Sequence, residues 1–188
     1  MCYVHVSKVT YGQISLAGGV VKMQLTFRRA GLADLEEAWN LISSAIVHMT
    51  EQNILQWDEL YPTKEDLLSD IQKKQLYIGL REGQLAVIYV LNQECEPEYA
   101  GGNWQHPELP FTIVHRLCVH PAYQHQGIAK ETLLHIEKEL KVSHIHAVRL
   151  DVFSQNPYAL KLYEGMGYTR TGQADWRKGL FYLMEKYI

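Results

Sequence analysis

The segment Gln124-His125-Gln126-Gly127-Ile128-Ala129 follows a β-branched apolar run and opens an amphipathic helix. A strand that turns into a helix through such a loop aims free backbone N–H groups and the positive end of a helix dipole at one spot, which suits a phosphate. Gly127 would let the backbone approach that phosphate without a Cβ in the way. The loop has neither the Lys-Ser or Lys-Thr of a P-loop nor a GxGxxG pattern, and one glycine at a helix start, taken alone, is more often only a turn. His115, in the preceding run, has a side chain whose ordinary titration suits proton removal near neutral pH, and it also fits a half-exposed strand position. Cys118 fits a small buried residue. Strict alternation sets His115 and Cys118 on opposite faces of a strand, which excludes a thiol–imidazole pair. Asn156 before Pro157 reads as a helix N-cap. Tyr163, at helical spacing from Ala159 and beside Leu162, reads as a core aromatic. The segment Asn53 to Pro62 carries Trp57, Asp58, Glu59 and Tyr61, a composition that can wall a pocket around a cation or simply cap the core. The chain has nine histidines, yet His144-x-His146 gathers no further ligands at a zinc spacing, so no metal is expected.

Two blocks take these residues further. Leu117-Cys118-Val119-His120-Pro121, followed by Gln124-x-x-Gly127-x-Ala129, resembles motif A of the GNAT acetyltransferases. About thirty residues later, Asn156-Pro157-Tyr158-Ala159-Leu160-Lys161-Leu162-Tyr163-Glu164-Gly165-Met166-Gly167-Tyr168 resembles the family's second block, N-x-x-A-x-x-L-Y-x-x-x-G-F/Y. The resemblance extends over roughly Gln24 to Tyr187. It departs at Gly165, a glycine inside the helix that should cost about 1 kcal/mol of helix propensity against Ala.

The resemblance implies acetyl-CoA as cosubstrate and no metal. The pyrophosphate would rest on Gln124 and the backbone amides from His125 through Gln126, Gly127, Ile128 and Ala129 to Lys130. The pantetheine arm would run beside Leu117, Cys118 and Val119, with Asn156 against it. The backbone N–H near Leu117 would face the thioester oxygen, and Tyr163 would donate a proton to the departing thiolate. His115 matches a histidine that removes the amine proton in arylalkylamine acetyltransferases, with Glu59 or Asp58 as alternatives. Trp57, Asp58, Tyr61 and His115 would line the acceptor pocket. The loops Asn53–Tyr61 and Gln93–Pro110 offer Trp57, Asp58, Tyr61 and Trp104, enough to wall a small pocket around a cation, so the expected acceptor is a small amine or amino acid. A protein N-terminus or lysine is the rival acceptor, and a non-catalytic acyl-CoA sensor the rival class.

The elements that must position these residues follow from periodicity. A strand over Gln24–Arg28 leads to a helix with apolar positions Leu35, Ala38, Trp39, Ile42, Ile46 and Met49 and with Asp34 in its first turn. Thr63 with Asp66 three residues on forms a capping box that opens a second helix to about Lys74. Strands Leu76–Arg81 and Gln84–Asn92 join at Glu82-Gly83, a hairpin signal. Gln93 to Pro110, with Trp104, is a turn-rich excursion. A central strand from Phe111 ends at Pro121. The next helix buries Ala129, Leu133, Ile136 and Leu140 and exposes a Glu137–Lys141 pair. A strand over Ala147–Phe153, a helix from Pro157 stopping near Gly167, and strands Tyr168–Gly172 and Leu180–Tyr187 complete the chain. The expected fold is α/β with the GNAT topology: a central mixed, mostly antiparallel sheet, splayed at the cofactor cleft and flanked by about four helices.

With 188 residues, 47% of them hydrophobic, the chain has enough apolar surface for one core. Residues 23–188 form the expected domain. Residues 1–22 contain no acid and read as a dispensable extension or a misassigned start. A net charge of -3 with no basic cluster excludes a phosphate-backbone partner. No segment approaches the ~20 apolar residues that span a bilayer. Three widely spaced cysteines, Cys2, Cys95 and Cys118, give no disulfide framework and fit a reducing cytoplasm. The expected assembly is a monomer or homodimer.

Overall fold

A computed structural model describes residues 25–188, so the expectation for residues 1–22 lies outside the described residues. Seven strands form one sheet in the order β1-β2-β3-β4-β5-β7-β6. They are β1 (Thr26–Arg29), β2 (Leu76–Arg81), β3 (Gln84–Asn92), β4 (Phe111–Val119), β5 (Ala147–Phe153), β6 (Thr169–Trp176) and β7 (Gly179–Tyr187). Every neighbouring pair is antiparallel except β4 with β5, which run parallel. The helices are α1 (Leu35–Glu51), α2 (Lys64–Gln72), α3 (Ile128–Val142) and α4 (Pro157–Gly165). The fold is thus the α/β arrangement that the element order implies.

Each helix covers the sheet with the apolar stripe its sequence provides. Ala38, Leu41, Ile42 and Ala45 of α1 and Leu67 and Ile71 of α2 pack on Ile78, Ile88 and Val90. On the opposite face Leu133, Ile136 and Leu140 of α3, with Tyr163 of α4, pack on Tyr89, Val148 and Leu150. The capping box of α2 is present: the Asp66 amide donates to Thr63 Oγ1 at 3.2 Å and the Thr63 amide to Asp66 Oδ2 at 2.8 Å.

The Glu137–Lys141 pair is corrected. Glu137 is buried, and both its oxygens accept from Lys186 Nζ of β7 at 2.7 Å. A helix face that looks solvated in sequence here lies against the last strand. Ala129 is only partly buried, and Ile128 and Thr132 take the inner positions of the first turn.

Two features of β4 open the molecule. First, β4 pairs with β5 only from Phe111↔Ala147 to Ile113↔Arg149, and from there the two parallel strands separate. Second, β4 carries a bulge against β3: Ile88 faces Cys118 and Val90 faces His115, so Tyr89 alone stands opposite Arg116 and Leu117. Arg116 adopts φ 50°, in the left-handed region. A bulge bends its strand and raises the local twist, and this one lies on the part of β4 that has left β5.

The bulge also corrects the alternation argument. Ile88 and Val90 share one face of β3, so their partners Cys118 and His115 share a face as well.

Candidate active site

The separation of β4 from β5 leaves a cleft of about 680 Å³. One wall is Leu117, Cys118 and Val119 of β4, and the other includes Asp151 and Val152 of β5. Its floor is the N-terminus of α3, where Gly127 is the N-cap residue at φ 81° and His125 also has positive φ, at 58°. A Cβ built on Gly127 would meet nothing within 4 Å, so the space above this turn is open. Free helix-N-terminal amides around an open glycine fit a pyrophosphate, and the unpaired edge of β4 beyond Ile113 fits an extended arm. Gln124, His125, Gly127, Ile128, Ala129 and Lys130 line this cleft. The Gln126 side chain does not, because it accepts from Arg81 Nη1 and donates to the Ala122 carbonyl at 3.0 Å.

Asn156 does two things at the far end. Its Oδ1 accepts from the Ala159 amide at 3.1 Å, capping α4, and its Nδ2 donates to Gln56 Oε1 at 3.0 Å. The cap therefore ties α4 to the loop between α1 and α2.

A second cavity of about 700 Å³ lies beside the first. Trp57, Tyr61 and His115 line it, joined by Tyr99 of the 93–110 excursion and by Trp176, Arg177 and Lys178 at the β6–β7 turn. Asp58, expected on this lining, is not part of it. Its carboxylate accepts two bonds from Arg177 at 2.7 Å and one from Lys178 at 3.0 Å, and the Arg177 bonds hold its pKa well below the usual carboxylate range. Glu59 is exposed and lines neither cavity. Arg116 pairs with the buried Asp70 of α2, with its guanidinium 5.1 Å from the centre of the Tyr61 ring.

His115 differs from its expected ordinary titration. Desolvation by burial, then the neighbouring Arg116 charge, lower its pKa to about 4, so it is neutral at physiological pH and a weak base. Its Nε2 is buried without a hydrogen-bond partner. Burial pushes the Cys118 thiol up to about 12, which removes thiolate chemistry from that side chain.

The two cavities meet along Gln56, Trp57, Leu117, Asp151 and Tyr163, five residues that line both. Tyr163 is 8% exposed and packs edge-on to Tyr168 at 5.8 Å between ring centres. Burial first, then the charge of Asp151, raise its pKa, so the phenol keeps its proton at neutral pH. Both readings of Tyr163, core aromatic and proton donor, fit one position.

Asp151 was missed in the sequence. Within Ala147–Phe153 it reads, like Arg149, as a polar residue in an otherwise apolar strand, and only the strand separation gives it a place at the junction. Its Oδ2 accepts from the Tyr99 hydroxyl at 2.7 Å, and burial raises its pKa.

Among the described residues no three His, Cys, Asp or Glu side chains gather as a metal site, and no helix is long and apolar enough to cross a membrane.

Known proteins are similar to this chain in sequence or in fold. The chain is 23% identical over 150 residues to an L-methionine sulfoximine/L-methionine sulfone acetyltransferase of Salmonella typhimurium, covering 79% of this chain and 82% of that protein. A GNAT-family acetyltransferase structure from Streptococcus agalactiae superposes with a TM-score of 0.77 at 20% identity, over 87% of this chain and 95% of that one. The PaiA N-acetyltransferase of Thermoplasma acidophilum, solved in complex with coenzyme A, superposes at 0.66 with 22% identity, over 88% and 100%. The model of the acetyltransferase (GNAT) domain family matches residues 48–187, a span that holds the strand separation, the α3 cradle and all five residues shared by the two cavities, and the chain therefore belongs to the GNAT acetyltransferases.

Proposed function

We propose that the protein transfers an acetyl group from acetyl-CoA to the primary amine of a small molecule, by direct attack while both substrates are bound. The observation that carries this reading is the junction: a cleft ending at an open helix N-terminus meets an aromatic-walled cavity at Leu117 and Tyr163. The amides of the α3 turn would hold the pyrophosphate, and the free edge of Leu117, Cys118 and Val119 would hold the pantetheine arm with Asn156 across from it. The Leu117 N–H would face the thioester oxygen, where a preorganised donor is worth most as charge develops. Tyr163, protonated at neutral pH, would supply the thiolate with its proton.

Aromatic side chains, among them Trp57, Tyr61, Tyr99 and Trp176, wall the acceptor cavity, and cation–π attraction favours an ammonium there. Support for a small acceptor comes from the amino-acid substrates in the Salmonella relative's name, and support for the donor from the coenzyme A bound to the Thermoplasma protein. His115, neutral and with an unpartnered Nε2, would orient the acceptor through a hydrogen bond.

The test is thiol release from acetyl-CoA across amines, polyamines, amino acids and peptides. Turnover of a small amine with sequential kinetics is expected. Turnover of peptides alone would move the acceptor class, and coenzyme A binding without any turnover would reduce the protein to a sensor. Tyr163→Phe, which keeps the ring, should lower kcat by on the order of 10²–10⁴ while calorimetric coenzyme A affinity persists.

A further inference from the structure

Three cations line the acceptor cavity, Arg116, Arg177 and Lys178, and they are not equally committed. Both Nη atoms of Arg177 donate to Asp58, and Lys178 Nζ donates to the same carboxylate. Arg116 donates to Asp70 from Nη1, which leaves the side-on Nε–Nη2 edge of its guanidinium to a ligand. We infer that this edge binds a carboxylate of the acceptor, so that the substrates are amino acids and related amino carboxylates rather than polyamines or other amines without an acid group. The inference rests on the acetyltransferase reading above and names the acceptor's class within it.

Three observations carry it. The first is backbone strain. Six described residues other than glycine have positive φ; Asn53, Lys74, Glu82, His125 and His144 lie in turns, whereas Arg116, at φ 50°, lies within a strand. That conformation costs a residue with a Cβ about 1–2 kcal/mol, and such strain concentrates where a side chain is held for a ligand. The bulge that imposes it sets Arg116 one residue before Leu117, which lies at the junction of the two cavities.

The second is a set of unpaired donors. Among the described residues three side-chain nitrogens are buried without a hydrogen-bond partner, His115 Nε2, Arg116 Nε and Trp176 Nε1, and all three residues line this one cavity. A guanidinium and an indole only donate, so their complement is an oxygen acceptor, and a carboxylate matches the guanidinium fork with two. The third is desolvation. The side chains of Arg116 and Asp70 are 13% and 9% exposed, so a carboxylate bonded there meets a poorly screened charge. Acids share the lining but most are engaged: Asp66 accepts from Thr63, Glu94 from Lys73 and Gln75, and Asp151 from Tyr99, while Glu96 is exposed. A lining of both signs with aromatic walls suits a zwitterion, its ammonium on the rings and its carboxylate on Arg116.

The experiment compares kcat/KM for amino acids, the matching amino-acid amides and the matching decarboxylated amines. An amide keeps the shape of the acid and removes its charge. The wild type should prefer acid over amide by roughly 10- to 100-fold, mainly through KM. Arg116→Gln alone would strand the buried Asp70, so it is combined with Asp70→Asn, which removes both charges together. In that double variant the acid-over-amide ratio should fall by the same factor, while calorimetric coenzyme A affinity persists. Arg116→Lys keeps the charge and the pairing with Asp70 but loses the fork, and its ratio should be intermediate. A wild type that uses acids no better than amides, or an undiminished ratio in both variants, overturns the carboxylate subsite and leaves the transferase reading intact. Failure of the wild type to acetylate any amine overturns both.

Discussion

Asp151 at the junction and His115 in the acceptor cavity have shifted pKa values, and stability should record this independently of turnover. Burial raises the Asp151 pKa above the ordinary carboxylate value, so the unfolded chain ionises first as pH rises. No penalty exists below the unfolded pKa; it grows as pH rises toward the folded pKa and is constant above it. Asp151→Asn should therefore raise Tm at pH 8, with the gain vanishing as pH falls below about 4. His115 acts at the other end. Its pKa is lowered to about 4, so the unfolded chain binds a proton that the folded chain refuses. Stability is lost as pH falls from about 6.5 to 4, and His115→Gln should flatten that decline in urea titrations. If both variants follow the wild-type dependence of stability on pH, the buried states assigned to these groups are wrong.

Elements position these side chains by their ends and irregularities. The α3 N-terminus depends on Gly127 at φ 81° with open space beyond it. Gly127→Asp would place a side chain and a negative charge where a pyrophosphate is expected, and it should abolish coenzyme A binding in calorimetry. Gly127→Ala should bind more weakly without abolition, because the left-handed conformation costs a residue with a Cβ about 1–2 kcal/mol but adds no charge. Equal affinity in the Asp variant would displace the cofactor from this turn. Strand β4 works through its bulge, which brings His115 to the same face as Cys118 and bends the strand where β5 departs. Helix α4 is set by Asn156, whose bonds to Ala159 and Gln56 join its N-terminus to the loop carrying Trp57.

Over the whole molecule, the 93–110 excursion has to be fastened to the sheet for Tyr99 to reach Asp151. Arg149 of β5 is the fastening. Its Nε donates to Glu185 Oε1 of β7 at 2.9 Å, and its guanidinium lies 4.3 Å from the Trp104 ring centre and 4.0 Å from that of Phe111. Glu185, 2% exposed, also accepts from the Gln105 amide at 2.7 Å. Arg149→Met would leave Glu185 buried and uncompensated and should destabilise the protein by about 3–5 kcal/mol in denaturant titrations. A change below about 1 kcal/mol, the usual size for an exposed pair, would mean that the cluster relaxes into water.

The division between what was readable in the chain and what was not follows the range of the interactions. Hydrophobic periodicity and capping are local, so the bounds of β2, β3 and β5, the Thr63–Asp66 box and the Asn156 cap were legible residue by residue. The two GNAT blocks were legible too, because a glycine at a helix start and a tyrosine at fixed helical spacing are short-range patterns. Four things were not. Glu137 looked solvated until β7 brought Lys186 against it. His115 looked like an ordinary histidine until burial and Arg116 lowered its pKa. The relation of His115 to Cys118 was reversed by a bulge that exists only through pairing with β3, and Asp151 reaches the junction of the cavities only because two distant strands part beside it. Charge state, facing and access depend on what lies across the sheet, and that is set by tertiary packing rather than by neighbours along the chain.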